Sequence, residues 1–182
     1  MKSYVDLDEF KNFIKHNSDN DDELLENLLE EVSSIIDSYC GRSFHQDKHR
    51  QVFYGDEVDF TYPIYLNQTP VASIDMVLKD GVDITSSLDI KLNKKTGRVK
   101  FSSLNNLELA DEIIIEYTGG YSNIPNDIKL AVKLQTAFFF QRKDTVGAKS
   151  FSSQDGSLNI VEDFELLKVV KQILDVYKIR RV

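Results

Sequence analysis

The chain has 182 residues, 41% apolar and 29% charged, with a formal net charge of −8. That fits one soluble domain with a core, or a core plus a small insertion, and the acidic balance argues against a nucleic-acid binder working through a basic face. No run approaches the ~20 apolar residues that span a bilayer, "MKSYVDLDEF" lacks a signal peptide's apolar core, and the lone Cys40 excludes an internal disulfide framework and fits a reducing cytoplasm.

Asp6 and Glu9 have capping-box spacing and predict a short helix to about Lys15, with Leu7, Phe10, Phe13 and Ile14 on one face. "HNSDNDD" is a turn. Asn20 and Glu23 repeat the cap pattern and open a longer helix. Leu24, Leu25, Leu28, Leu29, Val32, Ile35, Ile36 and Tyr39 recur along it at helical spacing. Gly41 suits its C-terminal end. Acidic residues at its start suit the helix dipole, and a solvated face accounts for the rest of the acidic run.

From Arg50 to Thr118 short β segments take over. Pro63 marks an edge or a bend. "VASIDMVLKDG" ends in the turn signal Asp80-Gly81, and "LDIKLNKKTGRVKF" reads as a hairpin looped at "NKKTG". "DEIIIEYTGGY" is the last strand. Gly119 and Gly120 then let the chain leave the sheet through angles closed to other residues. Pro125 and Asp127 open a helix reaching about Arg142. Its polar stripe is Asn126, Lys129, Lys133 and Thr136, and apolar residues cover most of the remainder. Such a helix is central, or is covered on a second side by another chain.

Gln135 falls inside the apolar face and Phe140 on the polar stripe. A subunit interface explains both; so do a locally bonded Gln135 and a half-exposed Phe140 at a helix end. The segment "KDTVGAKSFSSQDGSLNIVED" holds few apolar residues and a hairpin signal at "QDG". It is expected to be mobile in a free monomer and ordered by a partner. A last helix spans about Asp163 to Lys178, and the basic tail "YKIRRV" suits a helix C-terminus.

Catalytic chemistry is hard to find. His45 and His49 lie in a loop-to-strand transition, where an exposed polar loop explains them better than a metal. His16 ends a helix and needs no further role. Cys40 lies near a helix C-terminus, the wrong end to lower a thiol pKa, and reads as a small core residue. "TGGY" and "KKTG" lack the spacing and the Lys-Ser/Thr of a phosphate loop. Neither catalytic residues nor a cofactor or metal is assigned, and the chain reads as a non-enzyme.

The order of parts carries a resemblance. "YCGRSF" (Tyr39 to Phe44) leaves the N-terminal helices, "YTGGYSNIP" (Tyr117 to Pro125) closes the β region, and a Gly-Ser loop precedes an Arg-ending C-terminal helix. Across nearly its whole length the chain resembles the head-tail connector family of tailed bacteriophages and prophages, also called adaptor or head-completion proteins. Its middle β region is longer than the compact family pattern.

The resemblance implies a structural virion protein of the neck, present in the host cytoplasm during assembly. It implies a ring, commonly a dodecamer, below the portal protein, and allows the free chain to be a monomer. The ring extends the DNA channel, passes DNA without sequence-specific binding, and offers a platform to a stopper or tail-completion protein. No membrane is involved. The alternatives are another neck or tail-completion protein, or a host protein-binding module.

The expected fold is α+β: a helical bundle from both chain ends with an inserted small antiparallel β-sheet or barrel. It is read as one connector domain over 1–182. Residues 1–44 form a helical hairpin, 50–118 the β-rich insertion, and 123–182 two helices joined by a mobile 143–161 loop. The expected interface residues are Gln135, Phe138 and Phe140 on the long helix. Val146, Phe151, Asp155, Gly156 and Leu158 join them from the loop, and Tyr177, Lys178, Arg180 and Arg181 from the tail. By analogy the C-terminal helix and "KIRRV" face the portal, and a solvated tail explains Arg180 and Arg181 equally well.

Overall fold

A computed structural model describes residues 2–102, 110–143, 152–153, 156–157 and 165–179. The elements run α1 (Leu7–Ile14), α2 (Asp22–Cys40), β1 (Asp47–Tyr54), β2 (Ile64–Tyr65), β3 (Val71–Lys79), β4 (Val82–Asp83), β5 (Ile90–Asn93), β6 (Arg98–Phe101), β7 (Glu112–Gly119), α3 (Asn126–Gln141), β8 (Ser152–Ser153), β9 (Gly156–Ser157) and α4 (Lys168–Leu174). The fold is α+β, as the patterning predicts. Among the described residues the sheets are open, with no closed barrel. The chain forms two compact units, one from residues 1–41 and 124–182, the other from 42–123.

The first unit is helical. Phe10, Leu25, Leu29, Val32 and Ile36 meet Ile128, Ala131, Val132, Val170 and Leu174, all essentially inaccessible to water. Each large side chain so buried contributes about 1.5–3 kcal/mol. Both predicted N-caps differ from expectation. Asp6 holds the cap position of α1 with an extended backbone, but its side chain makes no capping bond. Glu9, its expected box partner, turns instead to Lys129 and Lys133. At α2 the cap position belongs to Asp21, not Asn20, and Asp21 is drawn to Lys143 at 2.7 Å. In both places an ion pair outcompetes the local cap.

Gly41 ends α2 in the left-handed region at φ +71°, as its position predicts. The final helix differs from expectation. It begins at Lys168, because Glu165 to Leu167 is an extended segment held by a side chain of α3 (described below). The hairpin signal at "QDG" coincides with the β8–β9 pair.

The second unit carries two antiparallel sheets, ordered β1-β7-β3-β4 and β2-β6-β5. Their inner faces share one core of Phe53, Ile64, Val77, Val99, Phe101, Ile113, Ile115 and Tyr117 with their neighbours. β7 is central, paired with β1 on one side and β3 on the other. Pro63 precedes β2, which lies at a sheet edge. Asp80 and Gly81 both have positive φ, 48° and 82°, as a two-residue type I′ hairpin requires.

The two glycines after β7 serve different purposes. Gly120 has φ +107°, and a Cβ there would lie 2.1 Å from the His45 carbonyl oxygen. Gly119 is not left-handed; it gives room, since a Cβ would lie 2.8 Å from the Gln68 carbonyl oxygen.

Candidate functional site

The long helix α3 is apolar on two sides, and its residues have three different fates. Ile128, Ala131, Val132 and Gln135 face the helical core. Lys129 and Lys133, half of the predicted polar stripe, grip one carboxylate of α1: their Nζ atoms lie 2.9 and 3.1 Å from the two oxygens of Glu9. The hydrogen bond from Lys129 is the largest cause holding the Glu9 carboxyl below its ordinary value. Thr136, also placed on that stripe, is buried. The third side is the outward one. Leu130 is 40% exposed, and Leu134, Ala137 and Phe138, at helical spacing from it, are half-buried.

Gln135 is fully buried. Its Oε1 accepts from the Leu167 N–H at 2.9 Å, and its Nε2 donates to the Glu165 carbonyl at 3.3 Å. Both bonds stay within the protomer, so this polar residue in an apolar face has a local explanation. Phe138 lies under the Arg142 guanidinium at 4.3 Å. Phe140 meets His16 edge-on at 5.5 Å and carries the Lys143 ammonium over its ring at 4.4 Å.

The C-terminal segment is fastened to the same unit. Tyr177 donates to an Asp127 carboxylate oxygen at 2.9 Å, and the Lys178 ammonium sits 4.4 Å from the Tyr39 ring. Tyr39 donates to Asp175 at 2.7 Å, and the Ile179 N–H donates to the Cys40 carbonyl at 3.0 Å. The structure therefore brings Tyr177 and Lys178 onto the end of α2 and the start of α3. Gly156 pairs with Ser153 in the hairpin. Val146, Phe151, Asp155, Leu158, Arg180 and Arg181 lie outside the described residues, as does most of the expected mobile loop.

In the second unit a cavity of about 420 Å³ is lined by Gly55 to Thr61 and Ala110. It is a turn-lined surface dent. Of its three carboxylates, Asp59 is held below its ordinary value by its bonds to Thr61. Among the described residues no three His, Cys, Asp or Glu side chains are placed to hold a metal ion. His49 is half-buried in β1, tilted against the Tyr117 ring at 5.6 Å. His45 forms a lone bridge with Tyr121.

The family model for head completion proteins matches residues 4–180. The chain belongs to the head completion protein family. No curated protein matches it in sequence. Three solved structures of gene transfer agent particles share its fold. A chain from the neck of an empty particle, computed with C6 symmetry, is 14% identical with a TM-score of 0.60, covering 98% of this chain and 91% of that one. One from the neck of a native particle, computed with C12 symmetry, is 15% identical with a TM-score of 0.61, covering 97% and 89%. One from the native virion is 15% identical with a TM-score of 0.63, covering 98% and 91%.

In this head completion protein the sequence assigns Glu9 and Asp127 only helix-start roles and no role to Asp175, yet these carboxylates hold Lys129, Lys133, Tyr177 and Tyr39. One signal was legible. Lys129 and Lys133 are one turn apart, so both can reach a single anion on a neighbouring helix.

Proposed function

We propose that this head completion protein is a head-tail connector. It docks beneath the portal protein, closes into a ring, extends the DNA channel and presents a platform to a stopper or tail-completion protein. DNA passes without sequence-specific contact, no catalysis is involved, and the site of action is the virion neck after assembly in the host cytoplasm. The carrying observation is the family match over residues 4–180, joined to a fold shared with neck subunits of particles solved with sixfold and twelvefold symmetry.

The half-exposed outward side of α3, Leu130 to Phe138, supports subunit contact, since an apolar second face is what a neighbour would cover. Phe138, Phe140 and the basic tail with Lys178, Arg180 and Arg181 are the proposed contact residues. Gln135 acts behind them, by holding the segment that leads into α4.

The test is recovery of partners by tagged protein in phage-producing cells, identified by mass spectrometry, against an Arg180→Ala/Arg181→Ala variant. Shortening the tail further would break the Ile179 bond to Cys40 and blur the result. Portal protein recovered with wild type and lost with the variant is expected. Tail proteins alone, with no portal protein, would replace this role with that of a tail-completion protein.

A further inference from the structure

A buried cation of the second unit stands without a counter-ion among the described residues. Arg42 is only 9% exposed. Its guanidinium carbon lies 5.4 Å from the centre of the Phe44 ring and 5.8 Å from that of Tyr121. The two rings stack on each other at 6.1 Å. Nε and Nη2 are buried with no hydrogen-bond partner, and no ion pair among the described residues includes Arg42.

These two nitrogens belong together. They form the side of the guanidinium fork that donates two parallel bonds to one carboxylate. A guanidinium keeps its charge in a protein. Burying that charge unpaired is costly, and contact with aromatic rings offsets only part of the cost.

The setting is built by two stretches held side by side. The Tyr121 N–H donates to the Phe44 carbonyl at 3.0 Å, and His45 pairs with Tyr121 in a parallel bridge. Gly120, which has no Cβ to strike the His45 carbonyl, permits the close approach. Phe44 is fully buried and Tyr121 half-buried, so the guanidinium is approached past Tyr121. That ring lines a surface cavity of about 240 Å³ with Gln46, Ser122 and Asn123 among its other walls.

Residues 41–46 and 119–123 contain no other Lys or Arg. A duplex backbone is held by several cations set along it, so a lone recessed guanidinium suits a single carboxylate. The chain itself is rich in carboxylates, with 30 Asp and Glu against 22 Lys and Arg.

We propose that Arg42 is the receptor for one acidic side chain of a second copy of this chain, which enters past Tyr121 and accepts from Nε and Nη2. This rests on the ring reading above, which sets identical acidic neighbours beside one another. A charge pair of this kind fixes register between subunits.

The experiment follows the Arg42 Nε–H signal in isotope-labelled wild type by NMR, assigned as the signal missing from Arg42→Met. The signal is expected to move as rising protein concentration drives association, and to stay in place when acetate or inorganic phosphate is added to dilute protein. Arg42→Met keeps the packing of the stem and removes the charge. At dilution it is expected to unfold at the same urea concentration as wild type or a higher one. Its association, read by sedimentation, is expected to be weaker on the order of tenfold or more.

A signal that stays in place while wild type associates overturns the site and leaves the ring reading intact. Movement on adding acetate or phosphate to dilute protein assigns Arg42 to a free anion, and the proposal falls. It falls too if Arg42→Met unfolds more readily yet associates like wild type, since the cation then only braces the two rings. Where Arg42→Met loses both stability and association, the wild-type signal decides. If wild type stays monomeric at millimolar concentration, the receptor role is overturned, and the neck assignment is decided separately by the partner recovery described above.

Discussion

The Oε1 of Gln135 accepts a hydrogen bond from the backbone N–H of Leu167 at 2.9 Å, while the same amide reaches the Glu165 carbonyl. One buried side chain therefore takes the place of a strand partner for an extended segment and sets where α4 starts. Gln135→Leu leaves both peptide groups without that partner and is expected to cost about 1–3 kcal/mol in urea unfolding. Gln135→Glu keeps the acceptor but buries a charge. Burial raises its folded pKa, so this variant should gain stability as pH falls and its carboxyl protonates. A Leu variant as stable as wild type would remove the clamp from the account.

Glu9 bridges Lys129 and Lys133, and its folded pKa lies below its ordinary 4.5. A depressed carboxylate contributes stability above its unfolded pKa and loses it as pH falls through the folded one. The pairs are partly solvated, so screening limits the contribution to about 1 kcal/mol. Glu9→Gln is expected to lower stability by that amount at pH 7 and to converge with wild type below pH 4.5. Thermal unfolding across pH checks it; a difference unchanged in acid would contradict it.

Gly120 and Gly41 both adopt positive φ, but only Gly120 is crowded. Gly41→Ala meets nothing within 4 Å and should cost about 1–2 kcal/mol, the intrinsic left-handed penalty. Gly120→Ala adds a clash with the His45 carbonyl and should cost more, about 3 kcal/mol or above. Chemical denaturation of the two variants side by side tests the ranking, and equal losses would refute it.

The tail bonds can be tested without truncation. Tyr177→Phe removes a hydrogen bond to Asp127 made at the surface and should cost no more than about 1 kcal/mol. Hydrogen exchange should nevertheless quicken at Ile179, whose N–H is held by Cys40. Unchanged exchange there would mean that the tail is fastened by its other contacts alone.

Much of the fold was legible because local signals agreed with the global pattern. Asp80-Gly81 marks a tight hairpin, "NKKTG" its neighbour, and Gly41 a helix end, each through backbone chemistry confined to a few residues. The misread caps failed for the opposite reason. Asp6 and Asn20 carry good capping side chains, but Glu9 and Asp21 gain more from lysines 120 and 122 residues away along the chain. No local rule sees such partners. The two readings of Gln135 could not be separated for the same reason, as its partners lie at Glu165 and Leu167.

A basic side of the β5–β6 hairpin was partly legible. Alternation in "IKLNKKTGRVKF" puts Lys91 beside Arg98 and Lys100 once the hairpin is folded. A whole-chain charge of −8 averages that face away.

The helical unit is assembled from residues 1–41 and 124–182, with the β unit between them in the chain. On the ribosome this nesting fixes an order of events. The amino-terminal helices emerge first but lack α3 until more than eighty further residues have been made. The β unit, by contrast, has all its strands once β7 is out. Residues 42–123 should therefore become protease-resistant on stalled chains while α1 and α2 remain cleavable. Their apolar faces then stay open the longest during synthesis, which makes the amino terminus the stretch most dependent on chaperones.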